Sequence, residues 1–225
     1  MAIELEQRGD VWVLAMRSGE NRFNRDSIDA LHGALDRVEQ GDGPVALVTT
    51  GDGKFYSNGL DLDWLMSSDA GADAATFIDD VHRLLGRVHG FAGVTVAAVN
   101  GHAYAAGAML TCAHDYVVMR EDRGYWCLPE VDLGLPLSPA MFAVVASRLP
   151  APALRDSLLT ARRYNAPDAL TAGIVDEVAA VDRVLERAVA IATEYAAKNR
   201  DVIRAHKQLM RGEALRLCGV ATKPT

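Results

Sequence analysis

Apolar and polar positions alternate from Ile3 to Glu6, and beyond the Gly9-Asp10 turn the run Val11 to Met16 is apolar on both faces. That pattern predicts a hairpin over residues 3–16 feeding a buried sheet. The period then changes: Ile28, Leu31, Leu35 and Val38 recur at helical spacing, so a helix is expected from a candidate N-cap at Asp26 to the Gly41-Asp42-Gly43-Pro44 breaker. Val45 to Thr50, short, apolar and rich in β-branched residues, reads as a buried strand.

The same alternation recurs along the next seventy or so residues. A glycine-containing loop follows strand 45–50, and Phe77, Ile78, Val81, Leu84, Leu85 and Val88 then make one apolar helical stripe. Strand 94–99 leads to a second glycine-containing loop, which opens an alanine-rich helix over Met109 to Ala113, and a further strand is expected from Tyr116 to Met119. Strands separated by helices of this length imply parallel pairing through crossovers, hence an α/β fold. Ser138 can cap a helix reaching Leu149, and Pro150 and Pro152 mark the start of the next. Val181, Val184, Leu185, Ala188, Ile191, Ala192 and Tyr195 form another stripe, Asp201 can cap a last helix to about Arg211, and residues 220–225 read as a loose tail. The β/α alternation yields to helices near residue 178. This divides the chain into 1–178 and 179–225, two parts expected to pack together because no linker composition separates them.

Composition narrows the functional classes. Half of the 225 residues are apolar, enough for a substantial core, and the formal charge of −7 argues against non-specific nucleic-acid binding. Cys112, Cys127 and Cys218 are widely spaced, which fits reduced core thiols better than a disulfide framework or a metal site, and no His/Cys spacing suggests a metal. No run approaches the ~20 apolar residues that span a bilayer, and residues 1–9 read as a strand and not a signal peptide. Cytoplasmic location is the expectation, since the closing Lys223-Pro224-Thr225 is unlike a peroxisomal tripeptide.

Candidate chemistry lies in two small-residue loops and one carboxylate. Ser57-Asn58-Gly59, after Phe55-Tyr56, permits a sharp turn that aims the Leu60 N–H outward at the start of the next helix; an ordinary strand-to-helix turn has the same composition. In the second loop Gly101, Ala103, Ala105, Ala106, Gly107 and Ala108 let backbone approach a ligand closely, and tight helix–sheet packing asks for the same residues. Neither loop matches a phosphate-binding glycine pattern, so the charge to be held is read as an oxyanion. Glu130, after Pro129, lies among apolar residues that disfavour its charged form and raise its pKa toward the range useful for proton transfer, whereas most glutamates are solvated. His102 and His114 lack an evident catalytic partner, and Arg22, Arg25 and Lys54 are candidates for phosphate contacts.

These segments resemble the crotonase, or enoyl-CoA hydratase/isomerase, superfamily. Phe55 to Leu62 looks like its first oxyanion loop, Ala98-Val99-Asn100-Gly101 through Gly107 like its second, and Pro129-Glu130 like its catalytic carboxylate. The resemblance implies a spiral of repeated β-β-α turns with a C-terminal helical region that builds trimers, often paired into hexamers. It implies an acyl-CoA substrate with adenine near Asn58 to Leu62, coenzyme A being part of the substrate and no separate cofactor being needed. It implies an oxyanion hole from the Leu60 and Ala106 N–H groups, and substrate contacts from Asn58, Gly59, Leu60, Asp61, Leu62, Gly107 and Pro129. Hydratases of the superfamily usually carry a second glutamate where this chain has Met109, and a thioether is neither acid nor base. The single carboxylate therefore looks closest to a Δ3,Δ2-enoyl-CoA isomerase of fatty-acid β-oxidation, in which Glu130 moves one proton from C2 to C4. An enoyl-CoA hydratase and a non-catalytic acyl-CoA-binding protein are the alternatives.

Overall fold

The computed structural model describes residues 2–67, 71 and 73–220; most of the expected tail falls outside them. The chain opens with β1 (Ile3–Arg8) and β2 (Val11–Met16), paired antiparallel, followed by α1 (Arg25–Glu39). Asn24 and not Asp26 caps α1. Its side chain accepts from the Ser27 N–H at 3.1 Å while Ser27 Oγ accepts from the Asn24 N–H at 2.7 Å, so two unpaired donors are satisfied reciprocally.

Three β-β-α turns come next. The first is β3 (Ala46–Thr50) and β4 (Phe55–Ser57) with α2 (Leu62–Leu65) and α3 (Asp73–His89). The second is β5 (Val94–Val99) and β6 (His102–Tyr104) with α4 (Ala106–Cys112). The third is β7 (Tyr116–Arg120) and β8 (Trp126–Cys127) with α5 (Glu130–Leu133) and α6 (Pro139–Arg148), the last capped by Ser138 as its position suggested. Helices α7 (Ala151–Thr160) and α8 (Ala166–Thr171), strand β9 (Glu177–Ala179), and helices α9 (Val184–Ala196) and α10 (Arg200–Leu217) complete the chain.

Each turn gives one strand to each of two sheets. The larger runs β1-β2-β3-β5-β7-β9 and the smaller β4-β6-β8, parallel throughout except for the first hairpin. This is the repeated β-β-α spiral that the resemblance implied; the alternation of strand and helix had implied only parallel pairing in an α/β fold. Strands β2, β3, β5 and β7 of the large sheet are buried on both faces, which is why they read as continuous apolar runs, whereas the edge strand β1 alternates. Leu47, Ala97, Val99, Val117 and Met119 face a core shared with α1 and α3, whereas Ala46, Val48, Val96, Ala98 and Val118 face α9. On that helix Ala188, Ala192 and Ala196 recur every fourth residue, and their small size lets the helix lie close to the strands.

Helix α10 starts at the Asn199 cap, two residues before the expected Asp201, because the Asn199 side chain accepts from both the Asp201 and Val202 N–H groups. It also runs past Arg211, since Ala214 and Leu215 extend its buried face. A buried ionic cluster fastens it: Lys207 Nζ lies 2.7 Å from Asp115 Oδ2, Arg211 lies 2.9 Å from Asp115 Oδ1, and Asp115 also accepts from the Thr95 N–H. Burial alone would raise the Asp115 carboxyl, but Lys207 and Arg211 outweigh it and hold it below the usual range; burial pushes Lys207 down to about 8. Removing the shared anion leaves two buried cations unpaired. Asp115→Ala is therefore expected to destabilise the fold by roughly 3–5 kcal/mol in urea unfolding. A loss below ~1 kcal/mol would mean that water reaches the cluster.

Candidate active site

The small sheet sets the geometry of the site. Ser57 pairs with Ala103 and Ala103 with Trp126, so the three residues stand level across β4, β6 and β8. Three residues beyond each, at the carboxyl ends of the strands, stand Leu60, Ala106 and Pro129, with Glu130 next. A cavity of about 720 Å³ opens there, lined by all four of these residues together with Asn58 and Met109. Two loops and one carboxylate far apart in sequence are thus brought together by strand register.

The first loop is clamped from below. Asn21, buried and with φ near +50°, donates through Nδ2 to Tyr56 O at 3.1 Å; Ser57 Oγ donates to Asn21 O at 2.8 Å and accepts from the Gly59 N–H. Asn58 is held by Glu20 through both backbone and side chain. The Leu60 N–H is not at a helix start, as the sequence suggested: α2 begins two residues later, with Asp61 as its cap. What frees it is a parallel bridge, in which Phe23 takes Gly59 O and the Asp61 N–H and leaves the intervening N–H on the opposite side. Among the described residues it has no protein acceptor.

In the second loop α4 begins at Ala106, earlier than the expected Met109, so the Ala106 N–H belongs to a first turn that has no intrahelical acceptor. Ala105 before it adopts φ +50°, ψ −126°, a conformation that an alanine holds only under constraint. The two loops touch. A Cβ on Gly59, at φ +82°, would lie 2.8 Å from Ala105 Cβ and 3.0 Å from Ala106 N, and one on Gly107 would run into Ser57 O. Gly59 and Gly107 therefore bring the loops together, and Asp61 caps a helix; the cavity wall itself is formed by Asn58, Leu60, Leu62, Ala106 and Pro129.

Glu130 opens α5 at the cavity wall. Its Oε2 is buried with no hydrogen-bond partner among the described residues, and burial pushes its pKa up to about 7. Met109, a thioether that is neither acid nor base, lines the same cavity. Among the described residues the other acid of the wall, Asp63, is exposed and 3.1 Å from Arg22. This arrangement can remove and return a proton beside a carbonyl oxygen held by two backbone donors.

The remaining candidates have other tasks. Arg22 reaches the cavity but is engaged by Glu20 at 2.6 Å as well as by Asp63; Arg25 meets Asp80 on α3, and Lys54 lies over the Phe55 ring, neither of them lining the cavity. His102 lies in a stack with Tyr104 outside the cavity wall. His114 is fully buried, donates from Nδ1 to Leu110 O at 2.8 Å, and is pushed by burial down to about 4. All three cysteines are buried and free, with burial pushing their thiols up to about 11 or 12. Among the described residues no group of three or more His, Cys, Asp or Glu is placed to hold a metal, and no helix is long and apolar enough to cross a membrane. The sequence did not single out Tyr104, Arg163, Ile78, Leu137 or Met141 as wall residues. Only Tyr104 carried a signal, standing next in the strand to the buried Ala103 and so facing the other way.

The sequence profile of the Enoyl-CoA hydratase/isomerase family matches residues 7–217. Enoyl-CoA delta isomerase 3 of Arabidopsis thaliana is 36% identical over 201 residues, which cover 86% of this chain and 84% of that protein. A putative enoyl-CoA hydratase of Thermus thermophilus is 34% identical over 210 residues, covering 91% of this chain and 81% of that protein. Among solved structures, a probable enoyl-CoA hydratase from Mycobacterium tuberculosis superposes with a TM-score of 0.88 at 28% identity, covering 96% of this chain and 91% of that one.

Proposed function

Because the chain belongs to the enoyl-CoA hydratase/isomerase family, we propose that it is a Δ3,Δ2-enoyl-CoA isomerase whose one proton carrier is Glu130. The observation that carries this reading is that Glu130 is the one half-buried carboxylate among the described residues of a cavity that Met109 also lines. Glu130 removes a proton from C2 of a 3-enoyl thioester; the C2–H electron pair forms a C1–C2 double bond and the carbonyl pair moves onto oxygen, giving a dienolate conjugated with the C3–C4 double bond, whose oxygen accepts from the Leu60 and Ala106 N–H groups. The protonated Glu130 then delivers its proton to C4, the C2–C3 double bond forms, and the carboxylate is restored. A group that titrates near neutrality can both take and return the proton. Each backbone donor contributes about 3 kcal/mol to lowering the barrier, by comparison with other oxyanion holes.

Among the described residues the second carboxylate of the wall, Asp63, is exposed and paired with Arg22, which does not support water addition by two buried carboxylates. Incubation with 3-enoyl-CoA and 2-enoyl-CoA separately tests the assignment: conjugation of the first is the expected result, and rapid formation of 3-hydroxyacyl-CoA from the second would replace the isomerase by a hydratase. The pH dependence carries a second expectation. Because burial raises Glu130 to about 7, kcat/KM for a 3-enoyl-CoA should climb as the pH rises through that value and then level off. A flat profile from pH 5.5 to 8.5 would remove Glu130 as the base. On the same reading the protein serves fatty-acid oxidation, takes coenzyme A only as part of its substrate, and assembles as a trimer or a pair of trimers. Leu209 and Met210, each 73% exposed on α10, support such assembly by leaving apolar surface in the open.

A further inference from the structure

A second cavity, of about 490 Å³, lies behind Glu130 between α5, α6 and α7. It shares Glu130 and the segment Leu135-Pro136-Leu137 with the first, so the two spaces are divided only by a carboxylate and three residues. Gly134 makes that partition. At φ +67° it ends α5 and turns the chain back, so that the Leu135 N–H donates to Glu130 O at 3.0 Å. Glu130 apart, the second cavity presents only apolar residues, chiefly Leu128, Val131, Leu135, Leu137, Phe142 and Leu158. Val131, Leu135 and Phe142 are about half exposed at its mouth, an arrangement that leaves large apolar side chains unburied without an occupant.

A carboxylate that serves both C2 and C4 has the carbon chain lying along it, and the atoms beyond C4 leave the reacting region past that carboxylate. The first cavity must also accommodate the thioester and the arm that carries it. We propose that the second cavity receives the distal alkyl chain, so that the substrates are medium- and long-chain 3-enoyl thioesters with apolar ends, and that Phe142 and Leu158 set the length accepted. The choice of reacting carbons rests on the isomerase reading above; the binding of an alkyl chain does not. Among the described residues this wall offers no cationic side chain to a terminal carboxylate, whose burial is costly, and its own Glu130 repels one, so chains ending in a carboxylate are rejected.

The test measures both binding and turnover. Calorimetric Kd values for saturated hexanoyl- to dodecanoyl-CoA are expected to tighten by up to about fourfold per methylene, the factor for complete burial of each CH₂. An ω-carboxylated chain of equal length should gain nothing. Leu158→Trp fills the cavity and Leu158→Arg places a charge in it; each should lower the ratio of kcat/KM for 3-decenoyl-CoA over 3-hexenoyl-CoA by roughly tenfold or more. Constant Kd across the series in the unaltered protein, which needs no variant to fold, would overturn the proposal. So would an unchanged ratio in a folded Leu158→Trp protein whose sedimentation shows a lost assembly, since the cavity would then be an interface between copies. Length-dependent Kd with no isomerisation at any length would uphold the tail site and remove the isomerase.

Discussion

Glu130→Gln is expected to lower isomerisation by roughly 10³- to 10⁴-fold, in the upper part of the range for acid–base groups, while acyl-CoA affinity survives. The loss falls on kcat because glutamine keeps the shape of the wall but can neither take nor hold the proton. An active variant would remove Glu130 from the mechanism. The same substitution has a second, opposite signature in stability. Below about pH 4.5 the carboxyl is protonated in folded and unfolded chains alike; as the pH rises toward 7 the unfolded chain releases its proton first, so the folded protein loses stability across that interval. Above 7 the full cost is present, about 3 kcal/mol for a shift of this size. Glutamine does not ionise. The stability difference between the variant and the parent should therefore move in favour of the variant by about 3 kcal/mol between pH 4.5 and pH 8, read from urea unfolding at each pH. A difference that stays constant over that range would mean that Glu130 is solvated in the folded state.

Gly107→Ala is expected to cost roughly 10²-fold in kcat, the effect of losing one oxyanion donor. The added Cβ meets Ser57 backbone and lies 2.7 Å from Ser57 Cβ, so α4 must move away from β4, and the Ala106 N–H moves with it. Overpacking of this kind also lowers stability by about 1–3 kcal/mol. Gly33→Ala on α1 is the control, because a Cβ there meets nothing within 4 Å and helix propensity favours alanine. Full activity in a folded Gly107→Ala protein would show that the gap between the loops is not the determinant of donor placement.

The parts of this molecule that bury long apolar segments were legible in the sequence. Val94 to Val99 and Tyr116 to Met119 read as strands because both faces are covered, and the stripe from Phe77 to Val88 read as a helix because one face is. The two loops and Glu130 were legible as candidates for chemistry, since small residues and a carboxylate in apolar company are unusual together. Their meeting was not. It depends on the pairing of Phe55–Ser57, His102–Tyr104 and Trp126–Cys127, strands of two or three residues that are too short to show a period. Asn21 was likewise invisible: its clamp on the first loop joins it to Tyr56 O and the Ser57 hydroxyl, more than thirty residues away, and no local pattern announces it. The cap of α1 was misplaced at Asp26 because composition favours aspartate and asparagine alike, and only the reciprocal bond with Ser27 decides between them.

The level alignment of Ser57, Ala103 and Trp126 has a consequence for how such a protein changes over time. The reactive groups are positioned by a ladder of three very short strands, while the exposed stretch 121–123, which joins β7 to β8, makes none of its pairings. Exposed stretches of this kind are free to lengthen, shorten or exchange side chains without retuning the site, whereas Met109, which lines the cavity from a joining segment, is not. Insertions tolerated there would let descendants of one chemical template diverge in the molecules they accept, with the reaction itself inherited intact.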